Sequence, residues 1–237
     1  MKDLIILGMG PSRSDCPFDC EVWGVNNGYR QVKELNGRLD KLFIAHRGQE
    51  YDWENDPIFD WNELNSLTGN GIEIVSLFKV KELKKITRFP FAKIVKKFGS
   101  EYFSDTIAYM LVYALHNNTK KDRKTGLLKL KEPMRIRFYG VDMHTRDEYA
   151  TERGGIEYFI GVGRTLGALI WIHPDSTLCK TDTGKPYGFY KLNKKIIDPD
   201  NIMELQKTPE GVRKLLKKGV LDANQAGEMI KFLTKSS

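Results

Sequence analysis

Short, mostly continuous apolar runs closed by glycine or asparagine dominate the first half of the chain. Residues 3–7, 21–25, 40–45 and 72–75 form four such runs, rich in Ile, Val, Leu and Phe. They are too short for helices and do not alternate with polar positions, as is usual for strands covered on both faces. The first ends in Gly8-Met9-Gly10-Pro11-Ser12, the second in Asn26-Asn27-Gly28 and the third in His46-Arg47. Residues 104–117 then place Ile107, Tyr109–Val112 and Ala114–Leu115 at helical spacing, with Ser104 or Asp105 as the cap. A lysine-rich turn follows around 122–126. Residues 135–139 predict a strand ending in Gly140-Val141-Asp142, 154–166 a helix, and 168–172 a last strand. This alternation predicts an α/β fold: a Rossmann-like, mostly parallel sheet flanked by helices.

Beyond Pro174 the pattern changes. Residues 177–191 are polar, with turn signals at Thr183-Gly184 and Tyr187-Gly188, and read as a flap or small hairpin. Residues 209–217 and 222–235 predict two short helices broken at Gly219, a C-terminal helical hairpin with acids in the first turns and bases later. The expected organisation is a Rossmann-like nucleotide-binding domain over 1–175, a flap or lid loop over 176–195 and a helical appendage over 196–237. A length of 237 residues suits one α/β domain with an appendage.

Composition narrows the classes. There is no run of 18 apolar residues to span a membrane, and Met1-Lys2-Asp3 leads straight into the first strand without a signal-peptide pattern. Cys16, Cys20 and Cys179 make no disulfide framework and no zinc spacing. These features predict a cytoplasmic protein with reduced thiols. The net charge is +7 and the pI about 9.1. The excess is gathered at 79–97, 120–131, 191–195 and 213–218. Such runs are solvated faces, or a field for nucleotides or nucleic acid.

The chemistry-bearing residues follow strand ends. Gly8, Gly10, Pro11 and Ser12 form a tight turn before a helix, where a phosphate meets free N–H groups and a hydroxyl. Arg13 stands where the dinucleotide fingerprint needs a third glycine, so the turn predicts a mononucleotide site. On this reading Gly10→Val abolishes ligand binding and leaves the fold intact. Asn26 and Asn27 offer amides for a base or ribose. Asp142 and His144 follow the strand at 135–139, and His173 follows the one at 168–172; these three are the candidate catalytic bases. Glu152 and Glu157 lie near Asp142 in the sequence. His46 also ends a strand and is expected at the same edge. No His/Cys spacing predicts a metal centre.

Taken in order, Gly8–Ser12, Val25-Asn26-Asn27, Ser104-Asp105-Thr106 and Tyr139–Asp142 resemble bacterial sialyltransferases of the Campylobacter type. They are equally similar to the MptE-like (6-hydroxymethylpterin pyrophosphokinase-like) Rossmann-fold family, including its phage-encoded members, over residues 3–173. The sialyltransferase resemblance implies that Gly8, Gly10, Ser12, Asn26 and Asn27 contact a cytidine nucleotide sugar, with Ser104 and Thr106 near its phosphate or sugar and Asp142 near the ribose or the transferred group. Where that family has Thr-Ser-Gly, this chain has Phe103-Ser104-Asp105, an acid beside phosphates that a metal or a base must offset. The pyrophosphokinase resemblance implies ATP and Mg²⁺, with Asp105 and Asp142 as ligands.

The leading expectation is a nucleotide-dependent transferase: a glycosyltransferase with a nucleotide-sugar donor, with nucleic acid among its candidate acceptors. A phage-encoded chain would work in the host cytoplasm. The alternatives are a pterin- or nucleoside-type pyrophosphokinase using ATP and Mg²⁺, and a non-catalytic nucleotide-binding module.

Overall fold

The computed structural model describes residues 1–46, 59–145, 148–181, 208–217 and 223–235. The chain divides into Lys2–Leu178 and a second unit of Met1 with Cys179–Ser237.

In the larger unit the strands are β1 (Lys2–Leu7), β2 (Glu21–Val25), β3 (Lys41–Ile44), β4 (Glu73–Ser76), β5 (Thr87–Arg88), β6 (Thr119–Lys121), β7 (Leu128–Leu130), β8 (Met134–Tyr139) and β9 (Leu169–Ile172). Its helices are α1 (Tyr29–Glu34), α2 (Trp61–Gly69), α3 (Phe91–Phe98), α4 (Thr106–Asn118) and α5 (Arg153–Thr165). Seven strands make one sheet in the order β5-β4-β3-β2-β1-β8-β9, and every neighbouring pair is parallel. The predicted α/β class is therefore what the chain adopts. β6 and β7 form a separate antiparallel ribbon where the sequence reads as a lysine-rich turn.

Both faces of the sheet are covered, which is why its strands do not alternate. Leu4 and Ile6 of β1 enter the core beneath α4 and α5, while Ile5 and Leu7 pack on the opposite side with Cys16, Val22 and Val32. All four are at most 3% exposed. The central helix α4 is capped by Asp105, whose Oδ1 accepts from the Ala108 N–H at 2.9 Å. Met110, Leu111, Val112, Ala114 and Leu115 of that helix are fully buried. Among the elements the pattern did not predict, α1 has six residues and β5 two, too few for periodicity to show; α2 and α3, of nine and eight residues, were missed as well.

In the second unit, α6 (Pro209–Lys217) and α7 (Ala223–Lys235) match the expected helices. The flap positions 182–190 and the basic run 191–195 lie outside the described residues. Among the described residues no helix is long and apolar enough to cross a membrane.

One charge in the sheet makes the fold acid-sensitive. Arg137 of β8 is buried, and its guanidinium donates to Asp19 Oδ1 at 2.5 Å, Asp3 Oδ2 at 3.2 Å and Cys20 Sγ at 3.2 Å. Burial opposes its charge, but the two carboxylates outweigh burial and hold the proton on more tightly than usual. In return the hydrogen bond from Arg137 holds the Asp19 carboxyl below the ordinary range. A carboxyl lowered by folding contributes stability that is complete above about pH 4 and is lost as the pH falls through the folded value. Thermal melts should therefore show a Tm that declines below pH 4, with a shallower decline in Asp19→Asn.

Candidate functional site

Chain order reverses between β1 and β8, so the switch point of this sheet lies where Leu7 and Tyr139 end side by side. In open parallel sheets the crevice for a ligand is outside the strand ends at that place. Here two loops meet across it. The Gly8 N–H donates to the Tyr139 carbonyl at 2.8 Å and the Gly10 N–H to the Gly140 carbonyl at 2.7 Å. The Ser12 N–H donates to Asp142 Oδ2 at 2.9 Å. Ser12 Oγ donates to Asp142 Oδ1 and accepts from the Gly140 N–H. The loops thus continue the β1–β8 pairing past the strands.

This accounts for the glycines differently from the sequence reading. A Cβ at Gly8 would lie on the Gly140 carbonyl oxygen, and one at Gly10 would sit 2.5 Å from Asp142 Oδ2. Gly140 itself has φ +66°, and its own Cβ would meet the Gly8 carbonyl oxygen at 2.6 Å. The glycines permit two backbones to touch. The expectation that Gly10→Val spares the fold is corrected for the same reason: the valine would displace Asp142 and the Gly140 backbone. Asp142, 4% exposed, uses both oxygens to hold Ser12.

Two further groups flank this closed seam. Toward β2, Asn26 takes a left-handed conformation (φ +49°), open to asparagine at little cost. Its Oδ1 and the Oε1 of Gln31 are buried without a hydrogen-bond partner. A Cβ built on Gly28 would lie 3.9 Å from Gln31 Oε1 and 3.7 Å from Met9 Cγ, so both side chains border the turn that holds Asn26. Asn27 lies in the same turn. Arg13 borders the seam, its Nη1 donating to the Met9 carbonyl at 2.8 Å and the Gly10 carbonyl at 3.1 Å.

Toward β9, His173 is 8% exposed. Its Nε2 is 3.1 Å from Asp15 Oδ2, and Nδ1 lies 3.2 Å from the Asp175 N–H, which donates to it. The proton is thereby placed on Nε2, facing a carboxylate whose side chain is 61% exposed. Tyr139 and Trp171 wall the imidazole at ring distances of 5.8 and 5.7 Å. His144 meets the Asp175 carbonyl through Nε2 at 2.8 Å. Ser176 and Thr177 bond to the carbonyls of Val141 and Met143 at 2.6 and 3.0 Å. His144 and His173 thus meet at Asp175, whereas the Asp142 carboxylate is engaged by Ser12 and its carbonyl accepts from the Thr177 N–H at 3.0 Å. His46 lies apart from them: β3 is four strands from β9, about 19 Å at the usual strand spacing.

Ser104 and Asp105 also carry structural roles. Ser104 Oγ donates to the Glu152 carbonyl and accepts from the Gly155 N–H at 2.9 Å, tying the start of α5 to that of α4. Asp105 is the cap of α4, and Thr106 is buried in its first turn. Glu157 accepts from Arg153 Nε at 2.5 Å within α5. Among the described residues no group of three or more His, Cys, Asp or Glu is arranged around a metal position. The sequence reading missed Asp15, Asp175 and Gln31. Asp15 carried a readable signal, lying three residues after Ser12 in the short helix Pro11–Asp15. Gln31 and Asp175 carried none.

No family model, no curated protein and no solved structure matches the chain.

Proposed function

We propose that the chain is a nucleotide-dependent transferase, a glycosyltransferase whose donor is a nucleotide sugar lying along the carboxyl edge of the sheet. The observation that carries this reading is the pair of buried, unpartnered amide oxygens of Asn26 and Gln31 beside the switch point. An unsatisfied buried acceptor costs about 1–3 kcal/mol, and a ligand donor removes that cost. Two oxygens suit the exocyclic amino group of cytosine or adenine, which uracil lacks.

With the Gly8, Gly10 and Ser12 amides engaged, the donor's phosphates fall to Arg13, whose fork has N–H groups beyond those on the turn carbonyls. Asp15 supplies the base: its exposed carboxylate takes the acceptor's proton while the Nε2–H of His173 holds that carboxylate in place. The new bond forms at the anomeric carbon as the bond to the nucleotide phosphate breaks.

Thermal-shift measurements with CMP, UMP, AMP, GMP and their sugar conjugates test the reading. At a hundredfold excess over Kd, a bound nucleotide adds about 2.7 kcal/mol, a Tm rise of about 5–10 °C for a domain of this size. CMP or AMP should raise the Tm and UMP should not, and Gln31→Leu should abolish the difference. Equal responses to CMP and UMP, or no response to any nucleotide, would sink the reading.

A further inference from the structure

The carboxyl edge does not use the chain's strongest charge. That charge lies at the other end of the sheet. The ribbon β6–β7 follows the C-terminus of α4 and leads within four residues into the amino end of β8, where Met134 pairs with Lys2. β8 is six residues long, so the ribbon and the carboxyl edge are separated by about 20 Å of strand.

The structure joins here two basic runs that are far apart in sequence. Lys97, in the last turn of α3, donates to the carbonyls of His116 and Thr119, each at 2.8 Å. Lys131 donates through Nζ to the Asn117 carbonyl at 2.7 Å. These two lysines hold α3, the end of α4 and the ribbon together, and their charges suit a helix C-terminus. Around them stand Lys93, Lys96, Lys120, Lys121, Arg123 and Lys124, all exposed. With Lys129, helix α3 and residues 119–131 hold nine basic side chains against the single acid Asp122, in a chain whose whole net charge is +7. Lys129 bonds Asp122 at 2.5 Å; Glu132 follows just outside the ribbon.

The ribbon is built against its own electrostatics. Lys120 stands directly opposite Lys129 in the β6–β7 register, and like charges facing each other across a strand pair are destabilising. Burial lowers the pKa of Lys97, and the charge of Lys131 adds to it. Burial likewise lowers that of His116, with Lys97, Lys131 and Lys93 adding to it. Residues 119–131 contain no aromatic ring to stack on an unpaired base, and of the two rings in α3, Phe91 packs on Phe103 at 5.6 Å and Phe98 against the core, so the surface suits a continuous phosphate backbone better than single-strand bases. A two-stranded ribbon is also narrow enough to enter the major groove.

We infer that α3 and the β6–β7 ribbon form a binding surface for duplex nucleic acid, contacted through its phosphates. The surface stands independently of the reading of the carboxyl edge.

Anisotropy titrations of a labelled 20-base-pair duplex over a series of salt concentrations test this, with the triple variant Lys96→Ala/Lys120→Ala/Lys124→Ala. None of the three holds a carbonyl or carboxylate in the hydrogen bonds described above. Wild type should bind with a steep salt dependence. The triple variant should lose at least tenfold in affinity at low salt, and its slope of log K against log salt should flatten by about 2–3. Lys33→Ala/Lys79→Ala/Lys81→Ala removes the same charge from exposed positions elsewhere and should change affinity less than threefold. Equal losses in the two triples would reduce the effect to net charge and overturn the inference. So would tighter binding to phosphatidylserine vesicles or to a single strand of the same length. Circular dichroism and the nucleotide thermal shift of the triple variant should match wild type, so that failure here is separable from failure at the carboxyl edge.

Discussion

Gly8→Ala lowers the folding stability by about 3 kcal/mol, at the upper end of what one added methyl costs in a packed interior, and Gly161→Ala raises it by about 0.5–1 kcal/mol. The opposite signs follow from what each new methyl meets. At Gly8 it meets the Gly140 carbonyl oxygen and, at 3.0 Å, the Val141 side chain. That oxygen cannot swing away, because it accepts the Gly10 N–H at 2.7 Å. Relieving the contact means separating the loops after β1 and β8, and with them the Ser12–Asp142 bonds. At Gly161, inside α5, no atom lies within 4 Å of the new methyl, so only the gain in helix propensity remains. Thermal melts should place Gly8→Ala about 6–12 °C below wild type. A Gly8→Ala protein as stable as wild type would show that the two loops are not in contact in solution.

That seam also explains what the sequence could and could not disclose. The parallel sheet was legible because burial on both faces leaves unbroken apolar strands such as Leu4-Ile5-Ile6-Leu7. Long helices were legible because α4 and α5 repeat their apolar positions over 13 residues each. Partner choice was not legible. Gly8-Met9-Gly10 reads alike whether its amides face a phosphate or another loop, and only the position of Gly140 decides. Ser104 and Asp142 were correctly placed at element ends, yet their hydrogen bonds run to Gly155 and Ser12, 51 and 130 residues away. Contacts at that separation leave no local periodicity. The charge at 120–131 was visible; its convergence with α3 depended on Lys97 reaching the end of α4.

Asp15→Asn should lower turnover by a factor of about 10²–10⁴, the usual contribution of a positioned acid–base group. The measurement uses the nucleotide sugar that raises the Tm most. Asp15 is largely exposed, so the Tm should not change. His173→Gln is the companion variant, because its amide N–H can still donate to Asp15 as Nε2 does at 3.1 Å. Its turnover should fall by less than about tenfold, which separates proton uptake at Asp15 from the placement of that carboxylate. Some stability is lost in His173→Gln, about 1–2 kcal/mol, because the imidazole leaves its packing against Tyr139 and Trp171. If the two residues act as one unit, the double variant should be little slower than Asp15→Asn alone. Turnover that survives in Asp15→Asn would make the pair a brace between β9 and the Pro11–Asp15 turn. The proton would then have to be taken elsewhere along the edge, with His144 the nearest histidine, held at the Asp175 carbonyl.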